Sequence, residues 1–208
     1  MYQKQAVKRQ PKLPPGARET SSKTPLIIGG IVIGLLALIA LLVITVTGGD
    51  EEEPTLGGIE GIVRVTGLVP NQHVDNPVYP DNNLPPPGGV HAATWQNCGI
   101  YRQPIEARFA VHSLEHGAVW VTYDPNVVTD EQATALEELV ADQGRGFTLL
   151  SPFPDQNSPV VATAWGLQLE METYDDPRLE QFLVTYVLGP QTPENGASCT
   201  GAVGNPIQ

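Results

Sequence analysis

Residues 118–150, AVWVTYDPNVVTDEQATALEELVADQGRGFTLL, decide the fold because they contain two different hydrophobic patterns. The β-branched and aromatic residues at 118–123 predict a strand. Thr129 followed by Gln132 forms a capping-box pattern, and the apolar residues after it recur on one helical face until Gly144. Residues 147–150 predict another strand. The stretch therefore indicates strand, helix, strand.

The flanking sequence continues this mixture. Four more segments are rich in β-branched and apolar residues and predict strands: residues 61–66, 107–112, 160–165 and 167–173. A last helix is predicted after Asp176, with Pro177 in its first turn and these apolar residues on one face: Leu179, Phe182, Leu183, Tyr186 and Val187. Because the order is not a regular βαβ repeat, we expect a compact α+β domain over residues 59–203, followed by a tail at 204–208.

The apolar run at residues 26–47, LIIGGIVIGLLALIALLVITVT, contains no charged residue. At about 1.5 Å per residue it is long enough to cross a hydrocarbon layer roughly 30 Å thick. A secretory signal has a shorter apolar region and a small-residue cleavage site, and no such site precedes the acidic residues 50–53. We therefore expect an uncleaved signal-anchor helix. The alternative is a secretory signal cleaved near Gly48.

Charge is distributed unevenly on either side of this run. Residues 1–25 contain six basic residues and one acidic residue, whereas residues 48–208 contain five basic and twenty-two acidic residues. The positive-inside rule then predicts a disordered basic cytoplasmic tail at 1–25, a linker at 48–58 and an acidic domain outside the cytoplasm. The lipid bilayer is accordingly a predicted partner through residues 26–47. The acidic surface argues against nucleic acid as a partner, because nucleic acid requires a basic footprint.

The chain has only two cysteines, Cys98 and Cys199, and both fall in the part predicted to face an oxidising compartment. A disulfide between them is the simplest interpretation. Two free thiols, one of them a metal ligand, are the alternative.

All four histidines lie in one segment: His73, His91, His112 and His116. Imidazole is the commonest side-chain metal ligand, and outside the cytoplasm several imidazoles suit copper or zinc better than magnesium or calcium. This segment is also rich in proline, glycine and asparagine, which predicts an ordered loop. The histidines therefore indicate a copper or zinc site, unless each of them only supports the loop by a hydrogen bond to the backbone.

The string HSLEH at residues 112–116 matches the H-x-x-E-H pattern of some zinc peptidases, in which the two histidines hold zinc and the glutamate is the general base. Glu115 is thus a catalytic candidate. That motif requires a sustained helix, however, and this one lies between two segments predicted as strands. The sequence pattern therefore favours a metal-orienting carboxylate or an ion pair over peptidase chemistry.

Three longer motifs occur in the same region: PPPGGVHAATWQNCGIY at 85–101, VHSLEHGAVWVTYDP at 111–125 and TAWG at 163–166. With His73 and the C-terminal cysteine, they resemble a bacterial family of membrane-anchored extracytoplasmic proteins known only as a domain of unknown function. The resemblance implies a single N-terminal span and an outer domain over about residues 59–203. It also marks five positions for testing: His73, His91, His112, Glu115 and His116.

Three functions remain open on this basis. The first is a membrane-anchored extracytoplasmic protein that binds copper, zinc or a small ligand through the histidines. The second is a non-catalytic interaction module that meets another protein of the cell envelope. The third is a metal-dependent hydrolase that uses Glu115 as its base.

Overall fold

The computed structural model describes residues 57–207. It forms a mixed α+β domain around one six-stranded sheet, which confirms the predicted fold class. The strands are β1 (Ile62–Arg64), β2 (Gly99–Ile100), β3 (Val119–Tyr123), β4 (Thr148–Pro152), β5 (Val160–Ala164) and β6 (Leu167–Met171). The helices are α1 (Ala107–Glu115), α2 (Asp130–Gln143) and α3 (Pro177–Tyr186). Within these residues no helix is long and apolar enough to cross a membrane; the predicted span at 26–47 lies outside them.

The sheet has the order β1-β6-β5-β3-β4-β2. Strand β4 runs parallel to both β3 and β2, and α2 connects β3 to β4. The pairs β3–β5, β5–β6 and β1–β6 are antiparallel. The centre of the sheet is therefore one βαβ unit extended by a hairpin, and the strand, helix and strand predicted within residues 118–150 are confirmed.

Helices cover both faces of this sheet. Successive residues of a strand point to opposite faces, so Val119 and Val121 pack with Leu136 of α2 and Phe182 of α3, while Trp120 belongs to a second core beneath α1. Every residue of β3 is buried as a result. The sheet thus separates α2 and α3 from a second layer made of α1 and the long loop before it.

The prediction of a strand at residues 107–112 is wrong, because this segment forms α1. Ala107, Ala110, Val111 and Leu114 have helical spacing and pack on the second core. The usual start signals are missing, since Glu106 at the N-cap makes no side-chain cap bond and the first turn has no acidic residue. Tertiary packing, rather than capping, determines this helix.

Gly117 ends α1 in a conformation that favours glycine. Its φ is +111°, and a Cβ there would lie 2.8 Å from the Leu188 side chain. The backbone N–H of Leu188 also donates to the carbonyl of Gly117. This tight contact turns the chain from α1 into β3 without a longer connection.

The predicted capping box of α2 is present: the Thr129 hydroxyl accepts from the backbone N–H of Gln132, whose side chain accepts from the backbone N–H of Thr129. We predict that Thr129→Ala lowers the free energy of unfolding by about 1 kcal/mol, because the backbone N–H of Gln132 loses the hydroxyl that accepts its hydrogen bond. Thr134→Ala, an exposed change in the same helix, is the control and does not lower it, because alanine has the higher helix propensity. Urea unfolding of the full chain in mild detergent measures both. Equal effects would contradict a capping role.

Candidate metal centre

Three separate segments bring the histidines together. His73 and His91 are partners in a parallel β-bridge, in which the backbone N–H of Val74 donates to the carbonyl of His91. His112 lies in the last turn of α1, and His116 is the C-cap of the same helix. The two loop segments that carry His73 and His91 are thereby held beside the C-terminal end of α1.

The four imidazole rings form one contiguous cluster. His112 is at its centre, with ring centroids 4.9 Å from His73, 4.8 Å from His91 and 4.5 Å from His116. Trp95 packs against the rings of His112 and His116. Trp165 packs against the ring of His91. The four histidines that lie close together in the sequence are therefore also close together in space, which their positions along the chain alone could not establish.

The inner group consists of His73, His91, His112 and Glu115, whose potential ligand atoms all lie within 4.8 Å of one another. Glu115 Oε2 is 2.9 Å from His91 Nε2 and 4.0 Å from His73 Nε2. Two ligands of a tetrahedral zinc at about 2.0–2.1 Å lie roughly 3.3 Å apart, between these two distances. The spacing fits a small divalent ion.

Backbone carbonyls orient three of the rings. Nδ1 of His91 lies 2.7 Å from the Gly89 carbonyl, Nδ1 of His112 lies 2.7 Å from that of Ala92, and Nδ1 of His116 lies 2.6 Å from that of Ser198. A carbonyl only accepts, so each Nδ1 carries the proton and donates it. This arrangement directs each Nε2 into the cluster, as outer hydrogen bonds do around metal-ligating histidines.

The His91–Glu115 contact is unusual for a dry interior. Both side chains are fully buried, and Glu115 Oε1 accepts a 2.7 Å hydrogen bond from the backbone N–H of Asn71. Among the described residues, however, neither His91 Nε2 nor Glu115 Oε2 has a hydrogen bond of acceptable geometry. Since buried polar atoms normally have partners, these two atoms require a proton or a metal ion between them.

The pKa values of this pair shift in opposite directions. Burial opposes the charged form of each group, but their mutual attraction outweighs it. The Glu115 carboxylate and the Gly89 carbonyl raise the pKa of His91, and His91 with the Asn71 amide lowers the pKa of Glu115. Burial, together with the neighbouring histidines, lowers the pKa of His112 to about 4. Its Nε2 lone pair is therefore free at neutral pH.

The outer group consists of His112, His116 and Glu194, whose potential ligand atoms also lie within 4.8 Å of one another. His116 Nε2 is 3.5 Å from Glu194 Oε2. Glu194 is not among the ligands predicted from sequence, and no local signal identifies it, because it is one of many acidic residues in a loop far from the histidines along the chain. The structure therefore divides the predicted ligands: His116 is outside the inner group.

The loop that carries Glu194 and Ser198 is attached to α1 and to the rest of the domain. The backbone N–H groups of Glu194 and Gly196 donate to the carbonyls of Glu115 and His116, which α1 leaves without helical partners. The predicted disulfide between Cys98 and Cys199 is present, with its Cα atoms 5.3 Å apart, so neither cysteine is a free thiol or a ligand. The crosslink joins the end of this loop to the segment before β2.

The H-x-x-E-H segment lies on helical backbone. The prediction that residues 112–116 lie between two strands is wrong, because the segment before β3 is helix α1. The helix brings His112 and His116 onto one face as i and i+4 neighbours. The helix ends directly after the motif, however, and Glu115 turns toward His91 and Asn71. The motif thus contributes His112 and Glu115 to the inner group, and His112 and His116 to the outer group.

A family model described as "Protein of unknown function (DUF3105)" matches residues 73–201, which include both groups. The chain belongs to the DUF3105 family. No curated protein and no solved structure matches it. The DUF3105 match begins at His73 and extends beyond Cys199, so it contains all four histidines, Glu115, Glu194 and the disulfide.

The pKa of His112 predicts how the metal-free DUF3105 domain responds to acid. Below pH 6.5 a histidine in the unfolded chain becomes protonated, whereas His112 in the folded domain stays neutral down to about pH 4. The free energy of unfolding therefore falls as the pH falls toward 4. We expect a loss of about 2 kcal/mol between pH 6.5 and 5. Between pH 6.5 and 5 the other two shifts change the stability little. The raised pKa of His91 stabilises the folded state fully below pH 6.5, and the stabilisation from the lowered pKa of Glu115 is lost only at a more acidic pH.

The measurement is urea unfolding of the chelator-treated chain at pH 6.5 and 5. His112→Gln keeps an amide N–H for the Ala92 carbonyl but does not titrate, and it reduces the loss. An unchanged pH slope in this variant would show that other groups cause the acid sensitivity.

Proposed function

We propose that this protein binds one divalent transition-metal ion, copper(II) or zinc, through the inner group. We further propose that it does so outside the cytoplasm, attached to the membrane by a single helix at residues 26–47. The observation that carries the proposal is the approach of His91 Nε2 to Glu115 Oε2, two buried atoms 2.9 Å apart that lack other partners among the described residues.

The ligand chemistry supports copper or zinc. Three imidazoles and one carboxylate form a donor set that suits these metals, whereas magnesium and calcium prefer oxygen. The carbonyls behind His91 and His112 already hold the correct tautomer, so binding requires little reorganisation. The C-terminal end of α1 carries a partial negative charge, which also favours a cation beside His112 and Glu115.

The inner group has the ligand number of a closed site. Four protein ligands are typical of metal sites that hold an ion, whereas catalytic zinc sites keep one position for water. His91 and Glu115 are fully buried, and only His73, whose side chain is 37% exposed, reaches solvent. The ring spacings leave room for an ion rather than for an organic molecule. We therefore favour metal binding over small-ligand binding and over catalysis.

The proposed location rests mainly on sequence. The uncharged run at residues 26–47 and the basic residues before it indicate the orientation. The disulfide supports it, because such bonds persist in oxidising compartments. In this setting the chain would meet metal ions outside the cytoplasm.

A metal-dependent hydrolase is the second candidate. It is favoured by the helical placement of His112 and His116 and by the nearby carboxylate of Glu194, since two histidines and a distal carboxylate can hold a catalytic zinc. The general base is the difficulty. Glu115 is fully buried, and its two oxygens face the Asn71 amide and His91, which leaves none directed to a water molecule in solvent.

A non-catalytic envelope interaction module is the third candidate. Its acidic surface could meet an envelope protein, and the carbonyl contacts of the histidines would then serve only to support the loop. This function requires no metal, so absence of metal binding would favour it.

We predict that the purified full chain, stripped by chelator, binds one equivalent of zinc or copper(II) in a calorimetric titration. Glu115→Gln keeps the side-chain volume but removes the buried charge, and it weakens binding by about tenfold or more. Glu138→Gln, an exposed change on α2, is the matched control and leaves affinity unchanged. No binding by the wild-type chain, or equal affinity of both variants and the wild type, would contradict the inner site.

A further inference from the structure

We infer that the outer group, His112, His116 and Glu194, is a second metal position that excludes the inner one and keeps a coordination position open to water. This inference rests on the proposed function, because the two positions share His112. The outer group would give the bound ion a second position, which is accessible to solvent, whereas the inner group is closed.

The outer group has the geometry of a three-ligand site. Its potential ligand atoms lie within 4.8 Å of one another, and His116 Nε2 is 3.5 Å from Glu194 Oε2. This separation is close to the roughly 3.3 Å expected between two ligands of a tetrahedral ion. The ligands come from one helix end and one loop, so the site does not depend on the His73–His91 bridge.

His112 is the reason that the two positions exclude each other. Its Nδ1 donates to the Ala92 carbonyl at 2.7 Å, which leaves only Nε2 for a metal. A single nitrogen lone pair ligates one ion. An ion in the inner group and an ion in the outer group therefore cannot both be bound by His112.

The two positions differ in their access to solvent. The outer group has three protein ligands, and the side chain of Glu194 is 34% exposed. Two histidines and one carboxylate form a donor set that leaves positions for water. In the inner group, by contrast, His91 and Glu115 are fully buried.

The surroundings of the outer group are also ordered by specific contacts. The Ser198 carbonyl orients His116, and the backbone N–H of Glu194 donates to the Glu115 carbonyl at 2.9 Å. Trp95 packs against His112 and His116. Cys199, which follows Ser198 in the chain, is fixed by its disulfide to Cys98. Such outer contacts are what a metal site needs to keep its ligands in place.

An ion can then change position without leaving the protein. It keeps its bond to His112 while it exchanges His116 and Glu194 for His73, His91 and Glu115. The outer group would serve as the place where the ion enters or leaves with water still attached, and the inner group as the place where it is retained.

The test uses copper(II), whose electron paramagnetic resonance spectrum reports its nitrogen and oxygen ligands. We expect the wild-type chain to bind one copper in the inner position. His91→Ala disrupts that position, and the chain then binds one copper about tenfold or more weakly, with a different spectrum that changes on addition of azide, which replaces water. The wild-type spectrum stays unchanged with azide.

Adding Glu194→Gln to His91→Ala weakens copper binding by about tenfold again and removes the new spectrum. The matched control, His91→Ala with Glu138→Gln, behaves as His91→Ala alone. If loss of the buried His91 prevents folding, the double change His73→Ala with Glu115→Gln disrupts the inner position instead, and Glu194→Gln is compared on that background.

Three results would overturn the inference. If the disrupted chain binds copper equally well with and without Glu194→Gln, the outer position does not exist, although the proposed function stands. If the wild-type chain binds two copper ions with similar affinity, the positions do not exclude each other. If the wild-type chain binds none, the proposed function fails and the inference fails with it.

Discussion

The contact between His91 and Glu115 is the constraint on which the site depends. An ionised carboxylate in a dry interior is costly unless a cation or hydrogen-bond donors compensate it. Glu115 has one donor, the Asn71 amide, and beside its other oxygen lies His91 Nε2, which has no other partner among the described residues. A proton can neutralise the pair in the empty protein, and a divalent metal ion would replace that proton.

The fold places this pair by packing α1 against the sheet. Ala110, Val111 and Leu114 are fully buried there, so the last turn of α1 has a fixed position and presents His112 and Glu115 to the loop. The loop before α1 has little regular structure, but backbone hydrogen bonds hold His73 beside His91. A rigid helix end and an ordered loop together keep the ligands in place, which is what selective metal binding requires.

The sequence alone predicts most of the fold but only part of the site. Strands β3 to β6, the capped α2 and the Asp176-capped α3 have strong local signals. Helix α1 has no capping signal at its start, and its phenylalanine and valine residues resemble a strand, although Ala107, Ala110, Val111 and Leu114 have the spacing of one helical face. The histidines stand out by their clustering. Glu194 does not, because it approaches His116 only through tertiary contacts of the C-terminal loop.

X-ray absorption at the zinc edge, recorded on the full chain after it is stripped by chelator and loaded with one equivalent of zinc, identifies the side chains that bind the ion. We expect four nitrogen or oxygen ligands at about 2.0–2.1 Å, with the multiple-scattering pattern of three imidazoles, and a loss of one imidazole in His91→Ala. A metal with no imidazole signal, or one whose spectrum does not change when His91 is replaced, would contradict it.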